Sequence, residues 1–193
     1  SQGLLKVKKN KKFDLIVPAN NAFGTGSHAS TFLSIRCIEI LTKKKKYFKI
    51  CDLGTGSGIL SFVLEKIIKR KIICIDNDLE IEDTLLRNKK KNNLNKMRFY
   101  KNDGLKGKYL MGIKFDLIVC NILSNFHKRI VKDYSEKLEV NGNIIISGVL
   151  NHQVNEIVSY FYKFNLKLIR KSHLLGWTSL IFTKQGIKNA SKL

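Results

Sequence analysis

The sequence predicts a doubly wound α/β sandwich on seven strands, five of them parallel, ending in an antiparallel C-terminal hairpin. Three observations predict it. Short β-branched runs ("FKICDL", "KIICID", "FDLIVCN", "GNIIISGV") alternate with helical patterns, the arrangement of a parallel sheet covered on both faces. A glycine-rich loop, "DLGTGSG", leads from the first such run into an apolar helix. The last two runs, "NLKLIRKSH" and "WTSLIFTK", leave no room for a helix between them. They should therefore pair antiparallel.

The elements follow in order. From residue 27, Leu33, Cys37, Ile40 and Leu41 mark one face of a helix. After the strand "FKICDL", residues 58–69 form a helix apolar nearly all round and hence buried. "KIICID" is the second strand, followed by a polar helix across 79–92. "MRFYKN" and "FDLIVCN" come next, then a helix near 125–138, the strand "GNIIISGV" and a helix across 151–163. "KVKKNKK" and "KKKK" at 43–46 read as a solvated lead-in and a loop after a helix. The domain should run over 21–184, with a lead-in at 1–20 and a frayed tail at 185–193.

Composition narrows the function classes. With 193 residues, 44% hydrophobic and 26% charged, the chain suits one globular domain. No apolar run approaches the ~18 residues needed to cross a bilayer, and no signal-peptide pattern opens the chain. Cys37, Cys51, Cys74 and Cys120 form no CxxC pair. They read as reduced core thiols, without a metal site, in a cytoplasmic protein expected to be monomeric. The net charge of +21 permits an anionic partner such as RNA or a ribosome. Lysine bias alone also explains it, because only residues 36, 70, 87, 98, 129 and 170 are Arg, the better residue for specific phosphate readout.

Two glycine loops carry the chemistry. In "CDLGTGSGIL", Gly54, Gly56 and Gly58 allow a tight turn and close approach to a ligand. Asp76 closes the next strand, where an acidic residue can grip ribose hydroxyls. A nicotinamide dinucleotide is one candidate, but Ile59 stands where its fingerprint has Gly or Ala, and Asp52 would face the pyrophosphate. S-adenosylmethionine has no phosphate there, and its ammonium suits a carboxylate.

The motif resembles the (D/E)xGxGxG signature of class I methyltransferases, whose Rossmann-like sandwich ends in the same antiparallel hairpin. That resemblance implies Asp103, in "KNDGL", on the adenine amino group, and Asn121, in "CNIL", facing the transferred methyl. More narrowly, "AFGTGSH", "NIL", "SGVL" and a late Trp, across roughly residues 15–183, are similar in order to the ribosomal protein L11 methyltransferase family. The likeness implies that Phe23, Gly24, Thr25, Gly26 and His28 form a lid beside the methionine end of the cofactor, with Asn121, Thr25 and His28 around the target amine. Two residues depart from the pattern. Ala29 replaces a usual Pro, and Trp177 follows "LLG" rather than acidic residues.

The resemblance implies a protein N-methyltransferase acting on lysine or α-amine groups, with ribosomal protein L11 as substrate. The family's separate substrate-capturing domain has no counterpart in the residues before the lid motif. A catalytic domain alone, or a short relative with another substrate, is therefore expected. No His/Asp base dyad is visible, so Asn121 should orient the amine while the lid excludes water. Two alternatives stay open: an RNA or small-molecule N-methyltransferase, and a basic RNA-binding module with a vestigial pocket. Against base methylation, Ile122 and Leu123 stand where a flipped base would need an aromatic.

Overall fold

Seven-residue runs such as "FDLIVCN", apolar on both alternating faces, can be buried only in the middle of a covered sheet. A computed structural model describes residues 3–7, 13–17 and 28–186. It places β6 (Phe115–Asn121) and β3 (Ile50–Leu53) at that centre, buried along almost their whole length. β4 (Ile72–Asp76) and β5 (Met97–Lys101) extend the sheet to one edge, and β7 (Leu138–Leu150), β8 (Leu166–Leu174) and β9 (Trp177–Lys184) to the other. The order is β5-β4-β3-β6-β7-β9-β8. β3 through β7 are parallel, and only β9 runs against them, inserted between β7 and β8. The two-residue turn Leu175–Gly176, both at positive φ, closes this hairpin.

Side chains alternate along each strand into two cores. Ile50, Cys74, Leu117, Val119 and Ile145 face α1 (Ala29–Lys44), α2 (Ile59–Ile68) and α3 (Glu80–Lys91). Cys51, Leu53, Ile75, Ile118 and Cys120 face the opposite layer of α4 (Ser124–Arg129), α5 (Val131–Lys137) and α6 (Val154–Tyr162). The four cysteines are buried free thiols. Among the described residues there is no cluster of acid, His or Cys side chains able to hold a metal, and no helix long and apolar enough to cross a membrane.

Three details differ from the sequence expectations. The single helix expected near 125–138 is two, bent at Ile130. The bend lets the adjacent Ile130 and Val131 both enter the core, which a straight helix would turn about 100° apart. On α1 it is Ile38 rather than Ile40 that is fully buried beside Leu33, Cys37 and Leu41. That helix is capped by His28, whose Nδ1 accepts the Ser30 N–H. The lead-in, finally, contains a hairpin of β1 (Gly3–Val7) and β2 (Phe13–Val17). Most of the 185–193 tail lies outside the described residues.

β2 is fastened to the sandwich. Leu15 is fully buried in the core on the side where β2 packs on α2 and α3. Asn92, just past α3, accepts the Ile16 N–H and donates to the Ile16 carbonyl, each at 2.8 Å. The same amide donates to the Asn88 carbonyl at the helix end. Replacing Asn92 with Ala strips the partners from both backbone groups of Ile16. Urea denaturation of Asn92→Ala should show a loss of about 1–2 kcal/mol, and residues 13–17 should lose amide-exchange protection. Unchanged protection there means that Leu15 burial alone holds the hairpin.

Candidate active site

The carboxyl ends of parallel strands are where loops leave room for a ligand, and the cleft lies there. It encloses about 460 Å³ between the β3–α2 loop, the end of β4, the end of β6 and the first turn of α1. A smaller hollow of about 200 Å³ adjoins it across Gly54, Asp76 and Ile122, and reaches Asn102, Asp103, Phe126 and Arg129.

Gly54, Gly56 and Gly58 all have positive φ, so the chain leaves β3 through a turn that ordinary side chains disfavour. Asp76 braces that turn by accepting the Gly56 N–H at 3.0 Å, and its other oxygen accepts the Asp78 N–H at 3.3 Å. A side chain at Gly54 would run into Ile122 of the "NIL" turn. Gly148 of "SGVL" has φ +79°, and a Cβ there would collide with the Ile122 carbonyl. Ile122 is thus held between two residues that lack side chains. This links three motifs that lie far apart in the sequence.

Asn121, the last residue of β6, projects into the cleft. Its Nδ2 donates to Thr31 Oγ1 at 3.3 Å, and its Oδ1 is buried with no partner among the described residues. Asp52 Oδ1 is in the same condition, while its Oδ2 accepts a 2.6 Å hydrogen bond from Ser61. Burial raises the Asp52 carboxyl to about 7, with the Ser61 hydrogen bonds opposing the rise. Buried acceptors without donors are uncommon and costly. Of the two, Asn121 Oδ1 lies in the wall of the cleft and marks a place that suits a ligand's donor, while Asp52 lies beneath the glycine turn on the adjacent strand.

Of the residues singled out in the sequence, Gly54, Gly56, Asp76 and Asn121 line the main cleft. Gly58 caps α2, and Asp52 stands beneath the turn rather than on its surface. Asp103 borders the smaller hollow, where both its oxygens are taken by Arg129, at 2.9 and 3.2 Å. His28 does not line the cleft among the described residues. Its ring packs edge-on against Trp177 at 4.8 Å, joining the first motif to the late Trp. Phe23, Gly24, Thr25 and Gly26 lie outside the described residues.

Three contributors escaped the sequence reading. Thr31 orients Asn121, and its only signal was its place just after the first motif. Gly148 sits inside a quoted motif, but its role needs the β6–β7 contact. His127 lies buried behind the turn, with Nε2 2.8 Å from the Ser147 carbonyl and Nδ1 3.0 Å from the Tyr134 hydroxyl. Burial lowers its pKa to about 4, against the backbone acceptors of Ser147 and Ile122. It is a neutral brace for that turn.

This sheet order and this strand-end cleft are those of Rossmann-like methyltransferases. A solved ribosomal protein L11 methylase from Lactobacillus delbrueckii subsp. bulgaricus superposes with a TM-score of 0.77 at 26% identity, over 86% of this chain and 82% of that one. The N-methyltransferase NodS of Bradyrhizobium japonicum, solved with S-adenosyl-L-homocysteine, shares the fold at a TM-score of 0.68 and 12% identity, over 87% and 94%. The family model for ribosomal protein L11 methyltransferase (PrmA) matches residues 6–185. The chain belongs to the ribosomal protein L11 methyltransferase family. Curated relatives include the L11 methyltransferases of Prochlorococcus marinus strain MIT 9515, 38% identical over 91% of this chain, and Campylobacter lari, 33% identical over 92%. The chain spans 59% and 60% of their respective lengths.

The two buried titrating groups oppose each other. His127, held well below its ordinary 6.5, stabilises the fold above that value and loses the contribution as pH falls toward 4. Asp52, held above its ordinary 3.8, stabilises the fold at low pH and loses the contribution as pH rises toward 7. Relative to the parent, Asp52→Asn should therefore gain stability between pH 4.5 and 6.5, and His127→Asn should lose it. Urea denaturation at both pH values checks this. Slopes identical to the parent's in both variants would contradict the assignment.

Proposed function

We propose that this chain is the catalytic part of an S-adenosylmethionine-dependent protein N-methyltransferase acting on lysine or α-amine groups of ribosomal protein L11. The observation that carries the proposal is the buried Oδ1 of Asn121 in the wall of the cleft, which has no partner among the described residues. Family membership supports the substrate, since the relatives are named for L11.

The residues present fit the cofactor. Gly54, Thr55 and Gly56 of the glycine loop form one wall of the cleft, where a ligand can lie close to backbone. Asp76 keeps acceptor capacity for the ribose hydroxyls beyond its bond to Gly56. The smaller hollow, with Asp103 at its rim, suits the adenine. The methionine end then lies toward Asn121 and Thr31, near Asp52. A buried carboxyl raised to about 7 ionises readily when a cation approaches, so Asp52 favours the ammonium of the ligand. A dinucleotide fits less well. Ile59, in the wall of the cleft, fills the space where its fingerprint needs Gly or Ala, and the same Asp52 would repel a pyrophosphate.

When bound, the sulfonium supplies an activated methyl group that leaves a neutral thioether behind. The chain has to bring an unprotonated amine into line. Asn121, fixed by its bond to Thr31, presents Oδ1 as an acceptor for an amine N–H, which sets the direction of the nitrogen lone pair. The apolar side chains of Ile122 and Leu123 beside it disfavour a charged lysine and so lower its pKa. Alignment and desolvation then do most of the work, without a dedicated base.

Calorimetry and turnover separate these roles. Asp76→Ala should weaken S-adenosylhomocysteine binding by roughly tenfold or more, because hydrogen bonds to a charged group are lost. Asn121→Ala should bind it nearly as well as the parent but transfer methyl to L11 roughly 10²-fold more slowly. Tighter binding of NAD than of S-adenosylhomocysteine would overturn the cofactor, and parallel loss of affinity and turnover in Asn121→Ala would overturn its role.

A further inference from the structure

A second concave site lies at the opposite end of the sheet, where α1 and α2 end and β3 begins. It is a cavity of about 320 Å³, bordered by Lys45, Lys46, Phe48, Ile67, Ile68 and Arg70. Two wholly basic runs, residues 43–46 and 69–71, meet at it, and both are exposed from Lys43 to Lys46 and from Lys69 to Lys71. Among the described residues none of these seven side chains is in a salt bridge. The nearby acids are already committed: Glu139 holds Lys49 at 2.8 Å, and Asp116 accepts the backbone N–H groups of Phe48 and Lys49.

Phe48 sets this patch apart from a merely solvated lysine face. It is 56% exposed, although an aromatic ring ordinarily gains by burial. The Arg70 guanidinium lies over it at 5.0 Å. Asp116 accepts the backbone N–H groups of Phe48 and Lys49, so the ring projects from an anchored stretch of backbone. Next to it Lys45 is tied to the Asn141 carbonyl at 2.8 Å and sits over the buried Tyr47 ring. The result is an apolar floor of Ile67 and Ile68, an exposed aromatic wall and a cationic rim.

We propose that this cavity binds single-stranded RNA, with one base stacked on Phe48 and the flanking phosphates on Lys45, Lys46 and Arg70. An aromatic platform inside a positive groove is the pairing that single strands use. A duplex hides its base faces, and an acidic peptide needs the cations but not the exposed ring. The site lies at the amino end of β3, and the Gly54 turn at its carboxyl end, so bound RNA leaves the cofactor cleft open. The proposal does not depend on the methyltransferase reading, and either can fail alone.

Fluorescence anisotropy with a labelled single-stranded oligouridylate, over a series of salt concentrations, tests it. The parent should bind with an affinity that falls steeply with salt. Phe48→Ala should weaken binding roughly tenfold with the salt slope unchanged, and Phe48→Trp should restore it. Lys46→Glu/Arg70→Glu should weaken it more and flatten the slope. Lys167→Glu/Lys171→Glu, an equal change of charge on the exposed β8 edge, should leave it within about twofold. Thermal melting checks that each variant is folded. Equal losses in the two charge-reversal pairs, no effect of Phe48→Ala, or equal binding of poly-glutamate as competitor would mean that only general charge attraction is at work, and would overturn the site.

Discussion

The cleft depends on how closely Ile122 is held. Gly54 at the end of β3 and Gly148 in β7 both press against it, and neither could carry a methyl group without displacing it. The contact fixes the spacing of three loops at the carboxyl edge of the sheet, and so fixes where Asn121, one residue earlier, directs its amide. Behind it, His127 ties the Ser147 carbonyl to the Tyr134 hydroxyl. The Ser147 hydroxyl meets those of Ser34 and Ser179. The polar brace joins α1, β7 and β9. The turn is therefore rigid while it remains open to solvent on the cleft side.

Electrostatics follow from that geometry. Asp52 lies under the glycine turn, fully buried, with a single side-chain donor from Ser61. A carboxyl in that position is poised between its two protonation states, and a cation bound above it tips the balance. Asp76, at the end of the neighbouring strand β4 and partly exposed, instead accepts the Gly56 and Asp78 N–H groups. Two carboxylates at the ends of neighbouring strands thus offer different chemistry, one an adaptable counter-charge and the other a fixed acceptor. At the far end of the sheet the exposed basic runs 43–46 and 69–71 make a positive surface, separated from the cleft by the length of β3.

The sheet was legible in the sequence because its period is blunt. Runs such as "KIICID" and "FDLIVCN" cannot be solvated, and the lack of room between the last two runs forces a hairpin. The break at Ile130 was not legible, since helical periodicity is the same on both sides of it and only the packing of Ile130 and Val131 demands a bend. The fastening of β2 was hidden as well. It rests on Leu15 and on Asn92, a residue whose composition reads as a helix end and nothing more. In the site, strand-end positions located Asp76 and Asn121 directly. Thr31, Gly148 and His127 act through contacts between elements far apart in sequence, which no local pattern encodes. The packing of His28 on Trp177 joins two motifs that the sequence could only set in order.

On the proposed function, the Ile122 turn presents Asn121 to the reactive end of S-adenosylmethionine. A crystal structure of the chain with S-adenosylhomocysteine tests it most directly. The ribose hydroxyls should lie on Asp76, the adenine toward Asp103, and the thioether sulfur beside the cleft wall that carries Asn121 Oδ1, with Ile122 unmoved between Gly54 and Gly148. A ligand bound with its sulfur remote from Asn121, or with its ribose away from Asp76, would contradict it.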